Sequence, residues 1–290
     1  MRMRHPLLTS LFCLITISAC NTEGGKTTPP HSKWISRITE YHPAPGQFIN
    51  TALGDMEAAE GIVGGKNGCV SLGGYGGYII FEFDHEVQNI AGSDFVIFGN
   101  AFDGNSEPGI VEVSPDGERW YRLKGSEEHT EGTLLDYAIT YTRPSQITQA
   151  ESVVWTDNHG ETGEVSAVSF HSQSYWPLFL SDDPQTLNFT GVKLPDNSSW
   201  NGVKYVQAAF AWGYADNWSA DYGETVGDDP DTKNSNKFDL DNAVDKDGNP
   251  VHLTTIRQIK VYTAMNQVVG GGVGETSTEV CGALSLSANL

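Results

Sequence analysis

Short runs of β-branched and aromatic residues recur along the chain from Gly77 onward: "GYIIFEF", "SDFVIFG", "IVEVS", "RWYRL", "YAITY", "SVVWT", "YVQAAFAWG", "TIRQIKVY" and "STEVCGAL". Turn residues separate them, and several alternate apolar with polar positions, the period of a half-buried strand. "VEVSPDGERWYRL" predicts a hairpin turning at Pro115-Asp116-Gly117. No long window carries the 3.6-residue period of an amphipathic helix, and only "NTALGDMEAAEGI", residues 50–62, suggests a short one. "GGYGGY", residues 73–78, has the glycines of a phosphate loop but no lysine, so it predicts a strand bend. Many short strands joined by Gly-rich connections predict an all-β fold: a single β-sandwich of jelly-roll type with long acidic loops, and no internal repeat.

The N-terminus follows another pattern. Arg2 and Arg4 precede an apolar run, Pro6 to Ala19, that is too short to span a bilayer and matches a secretory signal. The run ends in "ISAC", similar to a bacterial lipobox, which makes Cys20 the lipidated first residue after cleavage. Asn21 follows it where an inner-membrane retention signal would place Asp, so an outer-membrane anchor is expected. Residues 1–19 are thus expected to be signal, residues 20–33 a lipid-bearing flexible tether, and residues 34–290 one ligand-binding domain.

Composition narrows the function. The chain carries 37 acidic and 17 basic residues, and losing Arg2 and Arg4 with the signal makes the balance more acidic still. Such a surface repels nucleic acid and anionic lipid, and leaves membrane contact to the lipid anchor. In an exported chain Cys69 and Cys281 remain as candidates for a disulfide joining the two ends of the domain.

Candidate chemistry is mostly acidic. "KFDLDNAVDKDGNP" looks at first like a calcium loop. With Gly248 at position 6, however, an EF-hand would need ligands at Ala243 and Thr254, and both fail. Read as a strand, it places Asp239 and Asp241 on one face as calcium-ligand candidates, while Asp245 and Asp247 form a turn. "FGNAFDGNSEPGIVEV" offers Asn100, Asp103, Asn105 and Glu107 as hard oxygen ligands, and Glu275 and Glu279 fall where they could join the same site. The alternative for each is a solvated acidic turn. Trp176, Trp200, Trp212, Tyr214, Trp218 and Tyr222 lie in or beside polar loops and are candidates for an aromatic platform that stacks on a flat ligand. The long segment from Asp216 to Lys237, bracketed by these aromatics, is expected to be an ordered binding loop. No G-x-S-x-G elbow, H-E-x-x-H or P-loop is present, so no catalytic residues are assigned. Carboxylate pairs such as Asp239 and Asp241, or Glu107, leave a glycan hydrolase as the enzymatic alternative.

The ordered series "VSLGGYGG", "DFVIFGNAFDGNSEPGIVEVSPDGERWYRLKGSE", "YAITYTRP", "WTDNHG", "YWPLFL", "FAWGYADNWS", "FDLDNAVDKDGNPV" and "IRQIKVYTAMN…GETSTEV" resembles a family of outer-surface lipoproteins of gut Bacteroidetes. The resemblance runs from about Ile38 to Gly282. It implies surface exposure, a β-sandwich without established catalysis, and a place beside TonB-dependent outer-membrane transporters, including those for corrinoids of the vitamin B12 type. The implied activity is capture of a nutrient, a corrinoid or a glycan, with an adhesive or structural role as the alternative. One departure is the segment after Cys20, which carries a single acid, Glu23, where such surface lipoproteins usually carry an acidic export tag.

Overall fold

The computed structural model describes residues 30–288. The signal segment, Cys20 and the tether up to residue 29 lie outside the described residues. The last residues of the expected tether, 30–33, make defined contacts with the domain. The backbone N–H of Ser32 donates to Asp84, and Lys33 pairs with Asp229 and Asp231.

The fold is all-β and sandwich-like, built from several antiparallel sheets. The largest runs in the order Arg37–His42, Tyr78–Gln88, Thr255–Thr263, Gly109–Ser114, Tyr121–Leu123, Ala243–Val244. A three-stranded sheet of Asn236–Phe238, Phe95–Phe98 and Gly282–Ser285 contributes to the same apolar core. Ile79, Phe81, Val113, Ile259 and Val261 from the larger sheet meet Phe95, Ile97 and Phe238 there, all buried. The strand Phe95–Phe98 is apolar at every position because both of its faces are covered. A four-stranded sheet (Thr186–Lys193, Leu134–Thr142, Val153–Asp157, Thr162–Val165) packs its own core of Tyr137, Ile139, Tyr141, Phe189 and Trp176.

Local chemistry matches these elements. The hairpin pairs Val113 with Tyr121, and its turn closes as the Asp116 carboxylate accepts the N–H groups of Glu118 and Arg119. Gly117 adopts φ +80, where a Cβ would be strained. The one α-helix among the described residues, Met56–Gly61, starts where the Asp55 side chain caps the N–H of Ala58. "GGYGGY" is a bend against Phe189, whose ring would overlap a Cβ at Gly76. "YVQAAFAWG" is a strand only over Tyr205–Gln207, because beyond it Asn217 takes both backbone groups of Phe210 and bends the chain away.

Cys69 and Cys281 form a disulfide across a sequence separation of 212 residues. It joins the segment before the strand Val70–Ser71 to the break between Glu279–Val280 and Gly282–Ser285. Closing so long a loop removes much freedom from the unfolded chain. Reduction, or Cys69→Ser with Cys281→Ser, is therefore expected to cost about 2–5 kcal/mol. Urea unfolding with and without reductant measures it, and an unchanged midpoint would contradict it.

Candidate functional site

Two features stand out: a group of buried carboxylates, and a cleft lined by an exposed tryptophan. The carboxylates come from three distant stretches. Glu107 lies just before the strand Gly109–Ser114, Asp216 in the turn after Tyr214, and Glu279 in the short strand Glu279–Val280. One oxygen from each lies within 4.8 Å of the others. Asp216 and Glu279 are buried, at 0% and 4% exposure, while Glu107 is partly exposed.

Asp216 is the anchor. Its Oδ1 accepts the N–H groups of Asn100 and Ala101, each at 2.9 Å, and its Oδ2 accepts the N–H of Glu279 at 2.9 Å. Its own backbone sits at φ +53, a conformation that Asp and Asn tolerate better than most residues. The carboxylate can lie on this backbone only because residue 99 is glycine, where a Cβ would overlap Asp216 Oδ1. Glu107 Oε1 accepts the N–H of Ser277, and Glu279 Oε1 accepts the Ser277 hydroxyl at 2.8 Å. Glu279 Oε2 is buried with no hydrogen-bond partner. Nearby Glu275 accepts the N–H of Gln47 through Oε1 and also leaves Oε2 unpartnered.

Burial is the main cause that pushes all four acids up. For Glu107 the charge of Asp216 adds to it, and for Glu279 the charges of Glu107 and Asp216. Asp216 rises through burial although three backbone N–H groups oppose the shift. Glu275 is pushed up to about 8. Among the described residues no basic side chain forms an ion pair with any of them.

The other expected metal ligands do not join this group. Asn100 contributes its backbone N–H and keeps its side chain exposed, and Asp103 is exposed at the rim of a cleft. The strand expected through Asp239 and Asp241 stops at Phe238. Asp239 there caps a 3-10 turn, Leu240–Asn242, accepting the N–H of Asp241, while Asp241 accepts from Asn89. The two carboxylates therefore do not share a strand face. The physical reason is Asp94, buried below, which takes the N–H of Leu240 and turns the chain. Burial, with Asp239 and Asp241 adding their charge, raises Asp94 to about 6. Asp245 turns the chain by accepting the N–H groups of Asp247 and Asn249.

The aromatic set divides. Trp176, Tyr214 and Tyr222 are buried at 1%, 2% and 4% exposure and belong to the interior, which removes them from any platform. Trp176 fills the core of the four-stranded sheet, the Tyr214 hydroxyl accepts the N–H of Glu127, and Tyr222 packs 4.9 Å from Trp218. Trp200, Trp212 and Trp218 are exposed at 57%, 44% and 38%. Trp218 lines a cleft of about 490 Å³ with Asp103, Asn201, Lys204 and Val206. On the ribbon Ser198–Trp200 and Tyr205–Gln207, Trp200 stands against Tyr205, whose ring lies over Gly270 and Gly271. Tyr205 and Phe102, missed from the sequence, are exposed too. The segment Asp216 to Lys237 is held from within by buried Asn217 and Asn236, which bond to each other's groups, so of its aromatics only Trp218 faces solvent.

Cleft and carboxylates are connected. Gln207, at the ribbon's end, bonds to Glu107 and to Thr276, and the N–H of Trp218 donates to the Ser106 hydroxyl.

Because the buried acids hold protons more tightly folded than unfolded, the native state binds more protons between the ordinary carboxylate range, about 4.3, and about 8. Their stabilising contribution is full below that range and is lost as pH rises through it. In metal-free buffer the protein is expected to unfold at lower urea at pH 8.5 than at pH 5.5, and an equal or higher midpoint at pH 8.5 would contradict this. Gly99→Ala is expected to cost about 1–3 kcal/mol by forcing Asp216 off its backbone donors, measured in the same assay.

No protein-family model matches the chain, and no curated protein matches it.

Proposed function

We propose that this chain is an outer-membrane lipoprotein of the cell exterior that captures a nutrient ligand for a TonB-dependent transporter. A corrinoid is the first candidate ligand and a glycan the second. The observation that carries it is the cleft in which the exposed Trp218 stands with Asp103, Asn201 and Lys204, beside a ribbon that exposes Trp200 and Tyr205. Indole faces accept the flat or apolar face of a ring-shaped ligand, and a few convergent polar groups fix its orientation. Asp103, Asn201 and Lys204 supply an anion, an amide and a cation within the cleft. These suit the amide-rich edge of a corrinoid or the hydroxyls of a sugar. The lipobox at Cys20 and the resemblance to Bacteroidetes surface lipoproteins support the location. The acidic surface fits a protein that must not adhere to anionic lipid.

The hydrolase alternative is less favoured by the chemistry. Asp239 and Asp241 are occupied in capping and side-chain bonding, and Asp216 spends both oxygens on backbone N–H groups. An adhesive role would use the same exposed aromatics against a protein partner.

Equilibrium titration of the unlipidated protein with cobalamin, and binding to a glycan array, test the proposal. Trp218→Ala and Trp200→Ala are each expected to weaken binding about 10-fold or more, since stacking on one aromatic contributes on the order of 1–2 kcal/mol. Trp176→Ala, by contrast, should act on stability. Binding of neither ligand class would sink the capture proposal, and sugar release lost in Glu107→Gln would favour the hydrolase.

A further inference from the structure

We infer that Glu107, Asp216 and Glu279 form a binding site for one divalent cation, calcium in the first instance, at the junction of three distant chain segments. This goes beyond the capture proposal and does not depend on it. Three carboxylates within 4.8 Å repel one another in a dry interior unless positive charge lies between them, and among the described residues no lysine, arginine or histidine supplies it through an ion pair. The independent sign of a missing partner is Glu279 Oε2: it is buried, on a residue 4% exposed, and has no donor. A buried carboxylate oxygen without a partner is costly and rare.

The donor set selects the class of ion. All three ligands are carboxylate oxygens, which suit hard cations such as calcium, magnesium and manganese rather than zinc or copper. Oxygens bound to one calcium at about 2.4 Å lie no more than about 4.8 Å apart, and one oxygen from each of the three acids falls within that limit. The ligands are oriented in advance. Asp216 is held by three backbone N–H groups, Glu107 by the N–H of Ser277 and Glu279 by the Ser277 hydroxyl, and each retains lone pairs. Glu107 is the least buried of the three residues. The cluster of His31, Asp84 and His85 differs in kind. Asp84 there accepts the N–H of Ser32 and bonds to the His85 ring, so that group is satisfied by its own hydrogen bonds.

The rival occupant is a proton shared among the three acids. Chelator-treated full-length protein titrated with calcium chloride, followed by calorimetry and by thermal unfolding, separates the two. The expected result is one calcium per chain and a rise in Tm on the order of 5 °C at about 10 mM calcium, which saturates even a weak extracellular-type site. Glu279→Gln and Glu107→Gln are expected to weaken calcium binding at least about 10-fold, since each removes one of three charged ligands. Glu107→Asp, which keeps the charge but draws it back, should bind more weakly than the native protein and stands in if the glutamine variants do not fold. Asp239→Asn, away from the group, should respond like the native protein. No heat and no Tm shift with calcium would overturn the inference in favour of the shared proton. A shift that survives in Glu107→Gln and Glu279→Gln, or in Glu107→Asp where those do not fold, would overturn it in favour of weak surface binding. A shift with magnesium alone would overturn the assignment to calcium.

Discussion

The Asp216 carboxylate accepting three backbone N–H groups is the interaction on which the architecture around the site depends. One side chain ties the turn after the strand Phe95–Phe98, through Asn100 and Ala101, to the strand at Glu279. The backbone around it does the same work in parallel, since Ala215 pairs with Gly109, and the Asp216 carbonyl accepts the N–H of Glu107. A charged acceptor makes stronger bonds than a neutral one, and here it meets donors that irregular turns would otherwise leave unpaired in the interior. The cost is a strained backbone at residue 216 and a required glycine at residue 99.

That arrangement concentrates charge. Asp216 brings Glu107 and Glu279 with it, and Glu275 lies in the short strand just before Glu279, so a chain already strongly acidic buries several of its acids together. The disulfide lies beside this region. Val70–Ser71 pairs with Glu279–Val280, and the Ser71 hydroxyl reaches Ser277. Cys69 and Cys281 thus brace covalently the segment in which like charges oppose folding. Proton uptake or a cation relieves the same repulsion by different means.

The site's outer surface depends on the buried one. Ser106 and Gln207 carry hydrogen bonds between the carboxylate level and the cleft in which Trp218 stands. Loops that would otherwise be mobile are held by side chains with both a donor and an acceptor, Asn217 and Asn236 above all. Tyr214 and Tyr222, read from the sequence as contacts for a ligand, fix the same loops from the inside. An aromatic residue beside polar ones in sequence therefore carries two meanings, and burial decides between them.

By itself the sequence determined the all-β class, the hairpin at Pro115-Gly117, the short helix and the turn at Asp245, because each depends on contacts among near neighbours. Glu107 and Glu279 were legible as candidate oxygen ligands, and a wide-spaced cysteine pair pointed to the bridge. Asp216 was not legible: nothing near residue 216 foretells that residues 100, 101 and 279 will present their N–H groups to it. The Asp239–Asp241 pair looked like a strand face because alternation is local, and the structure broke it with Asp94, 145 or more positions away. Which tryptophans face solvent was likewise set by sheet packing. Period and turn chemistry act within a few residues, whereas burial and the meeting of carboxylates arise only when distant segments share one interior.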